Sequence, residues 1–463
     1  MTAAAPSVRP NWRPVGDAAV AEAPTRARAF PPTRSRPVDV TAPMPVMLRA
    51  DDGSASRLLR DIVFMLFLVA VLLRIVISPV ALNAVVSYSS EGGPLYEKIH
   101  PGTYLIAMAF GLTLLGLRTP LTLAEGKACR LLIGLFAIVV LSAVGVSLFG
   151  HAVSIGYLID SYVCGCMAGY VMLSLAPEQR RMVVSAVLVL LMANSALTVV
   201  EFVIGRGVFL PGYNDGTFRP SGVLDHPLTL GGMNVAAIVY VFLSRWSPQA
   251  KLVGAGILLI GIFAAGARTA TLVGAVAFLA SVILAPQPGV PSDRRLQLRI
   301  LIVLACMVAV PVAFLAMDAA GLLTRFKDGI LDQSGQARVD IYRVFEFVTW
   351  NDILRGADIR EIVKITTSRL NLPFIESVIV VFIFQFGLPI AVIFLGGVIG
   401  ILLRLAWGGD VRLLIAVGGY LAVSLSNNAL ATKDFSLSLT ILMVIALRFD
   451  HEPPGRQIHA HPS

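Results

Sequence analysis

From residue 61 to residue 448 the chain is written as long apolar runs separated by short polar connectors. Within the runs Leu, Val, Ile, Ala and Phe follow one another without period-two alternation, so each reads as a helix that is apolar on every side. About twelve such runs fall near 61–82, 103–117, 131–148, 155–175, 182–204, 228–243, 252–266, 268–285, 300–320, 375–403, 411–426 and 435–448, several of them long enough to cross a bilayer. The pattern predicts an all-α, polytopic membrane fold over 61–448. Residues 1–60, rich in Pro, Ala and Arg, carry no periodic apolar pattern and predict a disordered tail; 449–463 form a second, short tail. The first apolar run starts too far into the chain for a cleaved signal peptide and reads as an uncleaved first span.

Composition agrees with lipid as the solvent. The 463 residues are 56 % hydrophobic and 14 % charged, with a mean hydropathy of +0.80, more apolar surface than a water-soluble core can hide. The net charge of +9 does not point to nucleic acid, because the arginines lie at the ends of apolar runs and not on a basic face interleaved with aromatics. Cys129, Cys164, Cys166 and Cys306 lie in or beside apolar segments, which predicts packing and no disulfide. No metal-ligand cluster and no cofactor motif is present.

Placing the Arg-rich tail in the cytoplasm puts Arg118, Lys127, Arg130, Arg180, Arg181, Arg245, Lys251, Arg294, Arg295, Arg299, Arg404 and Arg412 on the same inner side. Both termini are then cytoplasmic. The outer segments become 83–102, 205–227, the corner GARTATL around Arg268, and a large loop, 321–374. Against the usual bias they hold Arg206, Arg219, Arg268, Arg325, Lys327, Arg338 and Arg343, which suggests an anionic ligand; long loops that translocate regardless of charge are the alternative. Arg74 and Asp160 fall at similar depth in two different spans and are expected to pair. In the large loop, Ile341, Val344, Phe345 and Val348 share one helical face, so Arg338–Trp350 predicts an amphipathic helix that lies on the membrane or caps the bundle.

Four stretches, FRPSGVLDHPLTLGG, GARTATL, SGQARVDIYRVFEFVTW and IESVIVVFIFQFGLPI, taken in this order, resemble the O-antigen ligase and Wzy-type polysaccharide polymerase superfamily of bacterial membrane proteins. The resemblance covers Arg219 to about Ile390. It implies a GT-C-like fold with a large periplasmic loop. It also implies a metal-independent glycosyltransferase at the periplasmic face of the inner membrane, moving an undecaprenyl-diphosphate-linked glycan onto a sugar hydroxyl. A chain-length regulator and a flippase of the same pathway are the implied protein partners. Where the ligases carry a His followed by Asn, Ser or Gln, nine residues and Gly-x-x-Gly, this chain has Glu376-Ser377, nine residues and Gly387-Leu388-Pro389-Ile390. Glu376 in place of the His favours polymerase over ligase.

The residues fit that chemistry. Fixed guanidinium groups stabilise a departing diphosphate without a metal, and Arg268, Arg219, Arg338 and Arg325 are the candidate clamp. A carboxylate whose proton affinity is raised by desolvation suits the general base; Glu376 comes first, then His226 and Asp225. His226 precedes Pro227 at a span entrance, where a histidine also serves as a cap, and Glu376 is placed to pair with Arg369 or another loop arginine. Other classes stay open: an O-antigen ligase, a transporter or flippase for lipid-linked oligosaccharides, and a non-catalytic export scaffold.

Overall fold

A computed structural model describes residues 54–89, 94–117, 121–148, 155–214, 218–286 and 333–450, with scattered positions between 291 and 319. Residues 1–53 and 451–463 of the expected tails, most of the run at 300–320, and Arg325 lie outside the described residues, and the first helix begins at Ser54, inside the segment expected as a tail.

Helix α1 is Ser54–Val76. α2, Pro101–Gly116, starts on a proline whose missing N–H would have no helical partner there, and the His100 ring Nδ1 caps it by accepting from Gly102 N at 2.9 Å. α3 is Leu123–Leu148; a π-helical stretch, Leu158–Val163, leads into α4, Cys164–Ser174. α5 is Pro177–Ile204. A two-stranded hairpin follows, β1 Tyr213–Asn214 against β2 Phe218–Arg219, with Tyr213 opposite Arg219. Next come α6 Pro227–Leu243, α7 Pro248–Ala264 and α8 Arg268–Leu284. Beyond residue 332 lie α9 Gln333–Asp340, α10 Trp350–Arg355, α11 Ile359–Leu370, α12 Val378–Phe386, α13 Leu388–Ala406, α14 Val411–Leu425 and α15 Ser436–Arg448.

Helices α6 and α15 are the core. Every residue from Leu230 to Leu243 and from Ser436 to Leu447 is buried, and α6 packs against α7, α8, α14 and α15. Peripheral helices face the other way. α3, α5 and α13 are long and apolar enough to cross a membrane, and only 28 % of the most apolar window of α3 and of α13 is buried in the protein. So much outward apolar surface suits lipid and not water. The run 375–403 is two helices, α12 and α13, broken at Gly387, where φ is 79°. A Cβ there would meet the backbone of Arg355 at 2.9 Å, so the close approach of α10 admits only glycine.

The large-loop segment caps the protein. Ile341 and Val344, on a 3₁₀ turn at Ile341–Glu346, are buried in a small apolar cluster with Ile362 of α11 and Val380 and Phe384 of α12. Phe345 stacks on Phe384 at 5.3 Å. The face read from the sequence is the buried one, although 3₁₀ geometry replaces the continuous helix, and the apolar side rests on protein.

Polar contacts gather the described connectors at two ends of the bundle. At one end the 404–412 connector and the ends of α5, α6 and α15 are tied by Arg181 and Arg245 to Asp450, the latter at 2.9 Å, Arg412 to Phe242 O at 3.3 Å and Arg448 to Leu405 O at 2.6 Å. At the other end Arg74 of α1 donates from Nη2 to the Asp160 carbonyl at 2.9 Å and stands 4.0 Å from its carboxylate. That carboxylate accepts the Tyr88 hydroxyl at 2.6 Å and the His100 amide at 3.1 Å. The expected Arg74–Asp160 pair is present and fully enclosed.

Removing one partner of an enclosed ion pair strands the other charge and costs about 3–5 kcal/mol. Asp160→Ala should therefore lower the unfolding midpoint in detergent sharply, and Arg74→Ala/Asp160→Ala should recover part of the loss. Equal or additive losses would show that the two side chains do not act as a pair.

Candidate functional site

The end of the bundle that holds Arg74 and Asp160 also gathers most of the candidate residues, and α5 organises the first group. Glu201, buried on its last turns, accepts Val208 N from Oε1 and Gly222 N from Oε2, each at 2.9 Å, while Asn194 accepts Val223 N at 2.7 Å. These buried polar atoms hold the 205–226 connector against the bundle, since an unpaired polar group there costs about 1–3 kcal/mol. Arg219, 8 % exposed, donates from Nε to Ala265 O at 3.3 Å and from Nη2 to Gly266 O at 3.4 Å, with its guanidinium 5.7 Å from the Tyr213 ring centre. The hairpin is thereby stitched to the corner that opens α8, and Arg268 is the first residue of that helix and half-buried. Arg219 and the GARTATL corner are thus brought together.

His226 is the cap of α6: its Nδ1 accepts Leu228 N at 3.1 Å and its ring packs edge-on to Tyr213 at 4.6 Å. Asp225 precedes it, half-buried. Burial, followed by the neighbouring Asp434 carboxylate, pushes the Asp225 carboxyl up to about 6. Asp434 is raised too, chiefly by burial; it accepts Ser436 N at 2.7 Å and Ser436 Oγ at 3.0 Å. Two carboxyl groups that share a dry site in this way favour holding a proton.

Glu376 sits in the short segment between α11 and α12 and accepts from Arg338 Nε at 3.2 Å, both side chains about one-third exposed. A candidate base and a candidate clamp residue are thus one ion pair. Beside it Ser377 caps α12 and meets the Tyr342 hydroxyl at 3.2 Å.

The connector 426–435 between α14 and α15 joins these groups, and the sequence reading passed over it. Val378 N donates to Asn427 O at 3.1 Å and Asn428 Nδ2 to Ile375 O at 3.3 Å, on either side of Glu376. Leu430 O and Thr432 O accept the Tyr162 and Ser161 hydroxyls at 2.7 and 2.8 Å. Lys433 Nζ donates to Tyr88 O at 2.6 Å and Lys98 O at 3.0 Å, and lies 4.3 Å from the Tyr88 ring centre. Burial lowers its proton affinity. His100, facing Arg74 and Asp160, is pushed down to about 4, by burial first and Arg74 second, and is neutral near pH 7. The signal for this connector was its content, since Lys433 and Asp434 are the charges between two apolar runs. Glu201 and Asn194 carried the same signal inside the run at 182–204.

The folded protein holds the Asp225 proton up to about pH 6, whereas the unfolded chain releases it near the ordinary carboxyl value of 3.8. Between those values the native state binds more protons, so stability falls as pH rises and levels off above pH 6. Unfolding midpoints measured between pH 4 and 7 should drop in the wild type and drop less in Asp225→Asn. Identical slopes would mean that Asp225 is ionised throughout that window.

Against known proteins, the chain matches no protein-family model and no curated protein.

Proposed function

We propose that this protein is a bacterial inner-membrane glycosyltransferase of the polysaccharide-polymerase type that needs no metal. In this reading about twelve spans cross the membrane, and the Arg219–Arg268 corner, Asp225 and Glu376 face the periplasm. The substrate is an undecaprenyl-diphosphate-linked oligosaccharide, and the growing exopolysaccharide or O-antigen supplies or receives the acceptor hydroxyl.

The observation that carries the reading is the Arg338–Glu376 ion pair at 3.2 Å. It puts a carboxylate and a guanidinium side by side and accessible, at the end of the bundle where Arg219 binds the Arg268 corner. Glu376 takes the proton of the acceptor hydroxyl as its oxygen bonds to the anomeric carbon. The bond from that carbon to the diphosphate oxygen breaks, and the electron pair leaves with the diphosphate. Arg268, with Arg338 and Arg219 behind it, offsets the charge that develops. Arg268 suits this role because it stands at the N-terminus of α8, where the positive end of the helix dipole and the guanidinium both attract an anion. Asp225 is the second candidate base and His226 orients the sugar.

Incubation of purified protein with a synthetic polyprenyl-diphosphate repeat unit should give a ladder of products. Arg268→Ala and Glu376→Gln, at normal membrane levels, should each reduce the ladder by on the order of 10²-fold or more. Full-length polymer from Arg268→Ala would sink the clamp. A single transfer to lipid A core would favour a ligase, and movement of the lipid across vesicles without product a flippase. Labelling of cysteines engineered at 219, 268 and 376 from the cell interior would overturn the sidedness.

A further inference from the structure

At the opposite end of the bundle two concavities adjoin. One is a niche of about 90 Å³ with Val184, Ala446 and Leu447 in its wall and Arg181, Ser185, Ser244, Arg245 and Asp450 as its polar lining. The other is an apolar groove of about 510 Å³ lined by Val189, Met192, Val253, Gly254 and Ile257. Trp246 lines both, and its indole N–H donates to Ser185 Oγ at 3.4 Å. An indole held by a polar atom at one end and apolar side chains along its body is the arrangement favoured at a membrane–water boundary.

Charge in the niche is layered. Asp450 accepts from Arg181 Nε and, at 2.9 Å, from Arg245 Nε; its side chain is 6 % exposed, against 35 % and 55 % for the two arginines. Among the described residues one carboxylate lies inside and two guanidiniums lie outside it, which leaves one positive charge in excess at the mouth. A phosphodiester carries one negative charge, and guanidinium donors match its geometry.

The two concavities are also in register along α5. Arg181, Ser185, Val189 and Met192 occur at intervals of four, four and three residues and share one helix face. From Arg181 to Met192 that face descends about 16 Å at 1.5 Å per residue, roughly the depth of one leaflet's hydrocarbon. Polar groups come first and apolar ones after, the order of headgroup and acyl chain. Gly254 keeps the groove open opposite Met192, because a Cβ there would meet Met192 Sδ at 2.7 Å and Trp246 Cζ3 at 3.7 Å.

We infer that the niche and groove together form a binding site for an anionic phospholipid. Arg181 and Arg245 hold its phosphodiester, and an acyl chain lies along Val189, Met192 and Gly254. The site is separate from the proposed glycosyl-transfer residues and does not depend on that activity.

Trp246 reports on the site directly. The chain has four tryptophans, Trp12, Trp246, Trp350 and Trp407; replacing the other three with Phe isolates its fluorescence. In phosphatidylcholine vesicles, brominated phosphatidylglycerol should quench Trp246 at a mole fraction about fivefold lower than brominated phosphatidylcholine, or lower still, given the roughly fivefold effect of one basic side chain on anionic-lipid attraction. Arg181→Gln with Arg245→Gln should erase that preference; Asp450→Asn is added so that no carboxylate is left buried without its partners. Gly254→Leu should weaken quenching by filling the groove. Equal quenching by the two lipids in the parent protein, or a preference that survives loss of both arginines, overturns the proposal. Undiminished quenching in Gly254→Leu overturns the placement of the chain in the groove.

Discussion

Arg74 and Asp160 are 86 residues apart in sequence and meet in a fully enclosed contact between α1 and the π-helical stretch before α4. Neither charge is sustainable alone at that depth, so each fixes the other's element. A bare pair would still leave hydrogen-bonding capacity unused. The structure fills it with the Tyr88 hydroxyl and the His100 amide, which draws the 77–100 connector over the pair. His100 then caps α2 with Nδ1 and meets Ile77 O through Nε2 at 2.8 Å. From one electrostatic necessity follow the positions of three helices and a connector.

The same economy sets up the candidate site. Lys433 bonds the 77–100 connector through two backbone carbonyls, and from that anchor the 426–435 segment runs to the amides and carbonyls beside Glu376. Asp434, on its other flank, lies close enough to Asp225 to disfavour ionisation of the Asp225 carboxyl. Polar atoms in an apolar bundle are satisfied by one another, and so they collect in one place. Such a collection is where anionic substrates and proton transfers are most effectively handled, because the surrounding low dielectric strengthens every charge interaction.

Several candidates proved to have a structural share in their neighbourhood. The nitrogen of His226 that faces its own helix is a cap, and the Arg219 guanidinium closes a corner through backbone carbonyls. These tasks are compatible with a site: a guanidinium already oriented by two carbonyls and a tyrosine ring loses little freedom when an anion arrives. At the other end Arg181 and Arg245 are organised by Asp450 in the same manner, one carboxylate arraying two cations toward the surface.

Hydropathy alone determined that the chain is helical and built for lipid, because backbone satisfied within each segment and apolar side chains on all sides leave no other solution. It placed an apolar run within most of the described helices, and it exposed Arg74, Asp160, Arg219 and Arg268 as charges out of place. It also gave the buried face of the 341–348 segment. Only the tertiary structure decided which charges come together: Arg338 with Glu376, Arg219 with the corner before Arg268, and Asp434 near enough to Asp225 to raise its carboxyl. It alone broke the run at 375–403, where α10 comes too close at Gly387 for a side chain, and raised the 426–435 connector from a short link to the centre of the site. The physical reason is that a charge declares its cost locally, in the sequence around it, while the partner that offsets the cost is chosen by packing between helices distant along the chain.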